Sequence, residues 1–115
     1  MKYMLLIYSH ETAFESASKA QVEELVGAYT AYTRALTQSG VLVAGERLQR
    51  STAATTVRQA DGKAKVLNGP YAETKEQLAG FYMIDVPDLD AALTWATRCP
   101  GATYGVVEVR PVWAM

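Results

Sequence analysis

One histidine and one cysteine stand among the 115 residues, so acid–base or nucleophilic chemistry has few places to start. His10 follows an apolar stretch ending at Tyr8, where strand ends feed clefts, and an imidazole that titrates near neutral pH suits a general acid or base. The alternative is a solvated loop histidine beside Glu11. Cys99 precedes Pro100, away from any helix start that would lower its pKa, which points to a buried structural thiol. Glu46 has Leu42, Ala44 and Leu48 at two-residue steps, which predicts one carboxylate on an otherwise apolar strand face. Burial raises a carboxyl pKa unless a cation compensates. Glu46 therefore reads either as an acid/base group or as the ion-pair partner of Arg58 or Arg110. Glu108 and Arg110 alternate onto one face, where a rim ion pair is the simpler reading.

Rings with polar tips, Tyr29, Tyr32 and Tyr82, together with Phe81, can line a ligand pocket, although such spacings more often build a core. Trp95 falls off the apolar stripe of its segment, which predicts a subunit or loop contact. The segment Asn68 to Gln77 has a rigid turn at Gly69-Pro70, a ring with a hydroxyl at Tyr71, and Glu73, Thr74, Lys75 and Glu76 in succession. That stiffness and chemistry predict one wall of a functional cleft, with Tyr71 plugging the core as the alternative. Motifs for dinucleotides (GxGxxG), nucleoside phosphates (GxxxxGK[ST]), serine hydrolysis (GxSxG) and zinc (CxxC, HExxH) are missing. No metal or cofactor is expected.

The elements that would position these residues read as follows. Lys2 to Tyr8 is apolar on both faces, as in an interior strand. Beyond a polar loop, Ser18 and Gln21 form a capping-box signature, and Val22, Leu25, Val26, Tyr29, Tyr32, Thr33 and Leu36 follow at helical spacing up to Gly40. Val41 to Leu48 reads as a strand, and Ala54 to Gln59 with Ala64 to Leu67 flank Asp61-Gly62 as a hairpin. Leu78 to Val86 is again apolar on both faces, which predicts a second interior strand beside the first. Pro87-Asp88 opens a helix with Leu89, Ala92, Leu93 and Ala96 on one side, and Cys99-Pro100-Gly101 stops it. Tyr104 to Arg110 is the last strand.

This order predicts one α+β domain over residues 1–115, a split βαβ sandwich with a mostly antiparallel sheet, two helices on one face and an inserted hairpin. Two helices cover only one face, yet two strands are apolar on both, which predicts a homodimer packed through its sheets around a cleft. Eleven basic residues against twelve acidic ones give a net charge of −1, too little positive charge to hold nucleic acid. No apolar run approaches the roughly 20 residues of a membrane span. The opening MKYMLLIYSHE lacks a cleavage site, and a lone cysteine cannot form an internal disulfide, so the expected location is cytoplasmic.

The stretch from Asn68-Gly69-Pro70-Tyr71 through Gly80-Phe81-Tyr82 resembles the YCII-related (YciI-like) proteins of the DGPF group. Met1 to Tyr8, Gly45-Glu46-Arg47-Leu48, Thr55-Thr56-Val57-Arg58 and Val107-Glu108-Val109-Arg110-Pro111 extend the likeness over nearly the whole chain. The resemblance implies a ferredoxin-like subunit in a dimeric α+β barrel. It also implies a functional link to an extracytoplasmic-function sigma factor. A His–Asp pair has been proposed as catalytic in YciI-like relatives, and no such role transfers to His10. Asn68 stands where the motif has its Asp, and Tyr71 where it has Phe; an amide cannot accept a proton as a carboxylate does. The expectation is a small-molecule-binding dimer whose candidate ligand residues are Arg58, Asn68, Gly69, Pro70, Tyr71, Lys75, Tyr82 and Glu108. The alternatives are an enzyme using Glu46 or His10, and a sigma-factor-associated regulatory module.

Overall fold

The structure is a computed structural model and describes residues 1–114. Strand β1 (Lys2–Ser9) buries Tyr3, Leu5 and Ile7 on one face and leaves Met4, Leu6 and Tyr8 half-buried on the other. A short helix, α1 (Glu11–Glu15), occupies the stretch that the sequence presents as a polar loop. Five residues are too few to show a helical period. The long helix α2 (Lys19–Gln38) starts at the capping box: the Gln21 amide donates to Ser18 Oγ at 3.1 Å and the Ser18 amide to Gln21 Oε1 at 2.8 Å. It ends in a Schellman motif, with Val41 N–H donating to Leu36 O and Gly40 N–H to Thr37 O. Gly40 takes φ +72°, which a side chain would resist.

Strand β2 (Leu42–Arg47) leads through a 3-10 turn (Ser51–Ala53) into the hairpin β3 (Thr55–Ala60) and β4 (Lys63–Asn68). Asp61 and Gly62 close that hairpin with φ of +52° and +76°, as a tight primed turn requires. Strand β5 (Gln77–Asp85), helix α3 (Leu89–Arg98), a short helix α4 (Gly101–Tyr104) and strand β6 (Val106–Pro111) complete the chain. Asp88 caps α3 by accepting from the Ala91 amide at 2.9 Å. Tyr104, expected to begin the last strand, instead ends α4.

Four strands form an antiparallel sheet in the order β2-β5-β1-β6. Each of the two long crossovers therefore joins strands with another strand between them, which is the split βαβ arrangement and is compatible with a ferredoxin-like sandwich. The helix layer buries Tyr32 and Leu36 of α2 and Ala92 and Ala96 of α3 against Tyr3, Leu5, Ile7 and Ile84. Leu5, Leu36 and Ile84 are fully buried, and each contributes roughly 1.5–3 kcal/mol through the water its side chain leaves.

Two sequence expectations are corrected here. Leu89 and Leu93 of α3 are exposed, whereas Trp95 packs on the core, its ring edge-on to Tyr32 with centroids 6.2 Å apart. The small Ala92 and Ala96 approach the sheet, and that rotation sends Trp95 toward α2, where its carbonyl accepts from Tyr32 Oη at 2.7 Å. The second correction concerns β2. The ladder pairs Leu42 with Ile84 and Ala44 with Met83, so Val43 is an extra residue in a bulge. Leu42 thus faces the helices, while Ala44 and Glu46 lie on the opposite face, and Glu46 is exposed in the single chain.

The face away from the helices carries Met4, Leu6, Tyr8, Phe81 and Met83, with Glu46 toward one edge and Glu108 and Arg110 toward the other. None of the described elements covers it. The β3–β4 hairpin joins neither edge of the main sheet and stands out as a separate two-stranded arm. The arm accounts for a radius of gyration of 16.1 Å, against about 13 Å for a compact domain of this size.

Candidate functional site

At the foot of the arm a cleft of about 730 Å³ opens where the ends of β1 and β5 meet the connections on either side of the hairpin. Tyr8 and Leu78 form its sheet side. Gln49, Arg50 and Ser51 come from the connection after β2, Ala54 to Thr56 from the start of the arm, and Pro70, Tyr71, Ala72, Thr74 and Gln77 from the loop before β5. The lining mixes rings, hydroxyls, two side-chain amides and the Arg50 guanidinium with apolar side chains, which suits a small ligand carrying a few polar groups.

Helix α1 braces this cleft. The Glu11 carboxylate accepts from the Ser51 amide and, at 2.8 Å, from Ser51 Oγ, pinning the 3-10 turn. The Glu11 amide donates to Gln77 Oε1 at 3.3 Å, and Gln77 Nε2 donates to Thr74 O at 2.7 Å, which ties the loop back to α1. Arg50 Nη1 meets Glu15 Oε1 at 2.6 Å, and the Arg47 guanidinium lies 4.9 Å above the Phe14 ring. An exposed ion pair contributes little by itself, but the Arg50–Glu15 pair holds a cleft-forming connection.

The candidate residues separate into three groups. Pro70 and Tyr71 line the cleft, with Tyr71 78% exposed and the Arg58 guanidinium 5.7 Å from its ring. Asn68 and Gly69 form the end of the arm beside it: Asn68 pairs with Thr55, the Gly69 amide donates to Ala54 O at 2.7 Å, and Gly69 O accepts from Thr56 Oγ1 at 2.8 Å. Gly69 has φ +106°, so glycine is required there. Lys75 lies in the same loop, exposed, and is not part of the lining.

Glu46 and Glu108 stand on the open sheet face. Neither Arg58 nor Arg110 bonds Glu46; Arg110 Nη2 instead donates to Glu108 Oε2 at 3.0 Å, the rim pair expected from their alternation. His10 is the half-buried residue that precedes α1, and its side chain does not cap that helix.

Tyr82 faces the other way. Its hydroxyl bonds Thr33 Oγ1 at 2.7 Å, its ring meets Tyr32 edge-on at 5.3 Å, and burial pushes its pKa up. With Tyr29, Tyr32 and the fully buried Cys99 it forms a protonated interior cluster on the helix side. Burial is the largest cause of the raised pKa in each of the four. The thiol is held neutral, as a structural cysteine is.

Sequence reasoning missed Glu11, Gln49, Arg50 and Ser51, and it placed Gln77 at the end of the cleft-wall loop without its bracing role. Their roles depend on contacts between segments that are distant in the chain, and no local spacing marks them. Among the described residues, no three His, Cys, Asp or Glu side chains cluster in the way a metal ion would need, and no helix is long and apolar enough to cross a membrane.

The YCII-related domain matches residues 1–115. The chain belongs to the YCII-related family. It is 40% identical over 114 residues to an uncharacterised protein of Rhizobium meliloti (strain 1021), an alignment spanning 97% of this chain and 92% of that protein. The match runs through the arm and the Asn68 to Gln77 loop as well as the sheet.

Proposed function

We propose that this YCII-related protein binds a small molecule in the cleft at the foot of the arm, and that a second copy closes the open sheet face beside it. The cleft carries the reading. Its volume of about 730 Å³ falls within the range of small-molecule sites, and it combines two tyrosines with hydroxyl and amide groups on a braced scaffold. Tyr8 belongs both to the cleft and to the open face, so a ligand seated there would lie at the margin of the dimer interface.

Binding is favoured over acid–base chemistry. Among the described residues neither Glu46 nor His10 has a hydrogen-bonded partner that would orient it for proton transfer, and Asn68 lacks the carboxyl of the family motif. The test is native mass spectrometry after incubation with a bacterial metabolite extract. A retained small molecule is expected in the wild type and in Lys75→Ala, whose side chain lies outside the lining. It is expected to be lost in Tyr71→Ala and in the cleft-filling Ala54→Trp. No retained molecule, or retention unchanged in Ala54→Trp, would sink the reading.

A further inference from the structure

The cleft at the foot of the arm is lined by a single charged side chain, Arg50, and by no carboxylate. Arg50 Nη1 meets Glu15, while the other donors of that guanidinium have no acceptor among the described residues. The carboxylates close by are turned to other tasks or stand apart. Glu11 holds Ser51, and Glu73 and Glu76, in the loop before β5, lie outside the lining and form no ion pair among the described residues.

A second cationic feature adjoins the cleft. In the register of the arm Thr56, Arg58 and Ala60 lie opposite Leu67, Lys65 and Lys63, so three cations share one face and the Val57–Val66 pair occupies the other. Arg58 stands directly across from Lys65, a like-charge pair that weakens a ladder, and neither has a carboxylate partner among the described residues. This basic face continues the cleft wall. Thr56 belongs to the lining, and the Arg58 guanidinium lies 5.7 Å from the ring of Tyr71, which also lines the cleft. Two exposed cations without a counter-charge, at the mouth of a cleft with no acidic lining, favour an anion.

We propose that the cleft takes a small organic anion with a flat apolar body, its carboxylate or phosphate held at Arg58 and Lys65 and its body against Tyr71. This rests on the cleft reading above and names the class of molecule bound there. Arg58 offers a planar fork that meets two oxygens of either head group at once, and Lys65 adds a point charge from a Cβ about 5 Å across the ladder. Leu78, Pro70 and Ala54, with the rings of Tyr8 and Tyr71, suit an apolar body. An anion at this place also relieves the repulsion between the two cations.

Titration of the full chain with benzoate, phenyl phosphate and the neutral benzamide, followed by amide NMR shifts at constant ionic strength, tests the assignment. At least one of the two anions should shift the Thr56 and Tyr71 amides saturably, and benzamide should bind about tenfold more weakly or not at all. Arg58→Gln should weaken the anion about tenfold and leave benzamide unchanged, with a smaller loss in Lys65→Gln. Both side chains are exposed, so the Val57 and Val66 amides should report an intact arm in each variant. Arg34→Gln, an equal change of charge on the exposed side of α2, should have no effect. Benzamide binding as well as both anions, or an anion unaffected by Arg58→Gln, overturns the proposal and leaves the cleft standing; the cations then serve to keep the exposed edges of the arm from pairing. Cleft amides that none of the three compounds shifts at tens of millimolar also overturn it, while retention of a neutral metabolite that Ala54→Trp abolishes would show that the cleft reading survives without it.

Discussion

Cys99, Tyr29, Tyr32 and Tyr82 are protonated groups packed where their ionised forms would be poorly solvated, and burial raises the pKa of each above its ordinary 9.0 or 10.0. In the unfolded chain they ionise first. The folded state is therefore favoured fully below about pH 9 and loses that advantage as pH climbs through the unfolded values toward the raised folded ones. The thermal midpoint should fall steadily from pH 9 to pH 11, and Tyr29→Phe with Tyr32→Phe should flatten the slope. A midpoint that holds constant to pH 11 would show these side chains to be more hydrated than the structure has them. Cys99 should also react with a thiol reagent only as fast as the protein unfolds. Gly105 makes a second residue-scale case: a Cβ there would run into the Tyr8 carbonyl oxygen, although its φ of −158° suits any residue. Gly105→Ala should cost about 1–3 kcal/mol in chemical denaturation, a purely steric effect at the junction of α4 and β6.

Among the elements, α2 is the clearest example of local instruction. Ser18 and Gln21 are three residues apart and satisfy each other's backbone donors, so the helix start is legible in four residues. Ser18→Ala should lower stability by about 1 kcal/mol, read by denaturant unfolding. Strand β2 shows the opposite. Val43 is as apolar as its neighbours, and nothing in Leu42-Val43-Ala44 announces that one of the three drops out of the ladder. A single extra residue reverses the faces beyond it, which is why Glu46 lies opposite Leu42 and not beside it. Helix α1 is held by Glu11 on Ser51 and Glu15 on Arg50, contacts that exist only once the sheet has assembled.

For the whole molecule, the open sheet face is the dominant fact. Met4 lies opposite Met83 and Leu6 opposite Phe81, a paired apolar strip with no cover from the chain's own helices. Static light scattering at micromolar concentration should report a dimer. Met83→Asp should convert it to a monomer, because the carboxylate would otherwise be buried unpaired at a cost of several kcal/mol. A Met83→Asp protein that stays dimeric would move the interface to another surface, such as the shallow hollow between α3 and β6 that Leu93 and Val106 help to line.

The sequence by itself determined the features that neighbours within a few residues can enforce. These are the capping box, the Asp61-Gly62 turn, the Gly40 stop, and the two interior strands whose alternation is apolar on both sides. It also marked the Asn68 to Gln77 loop as unusual, through Gly69, Pro70 and Tyr71. Tertiary structure alone decided which of those loop residues line a cleft, that Tyr82 turns away to Thr33, that Trp95 joins the core, and that Glu11 and Gln77 brace the site. The physical reason is range. Turn and cap geometry depends on a few dihedrals and one or two hydrogen bonds, whereas the face that a strand presents, or the segment that a carboxylate reaches, depends on the register of chains brought together only by folding.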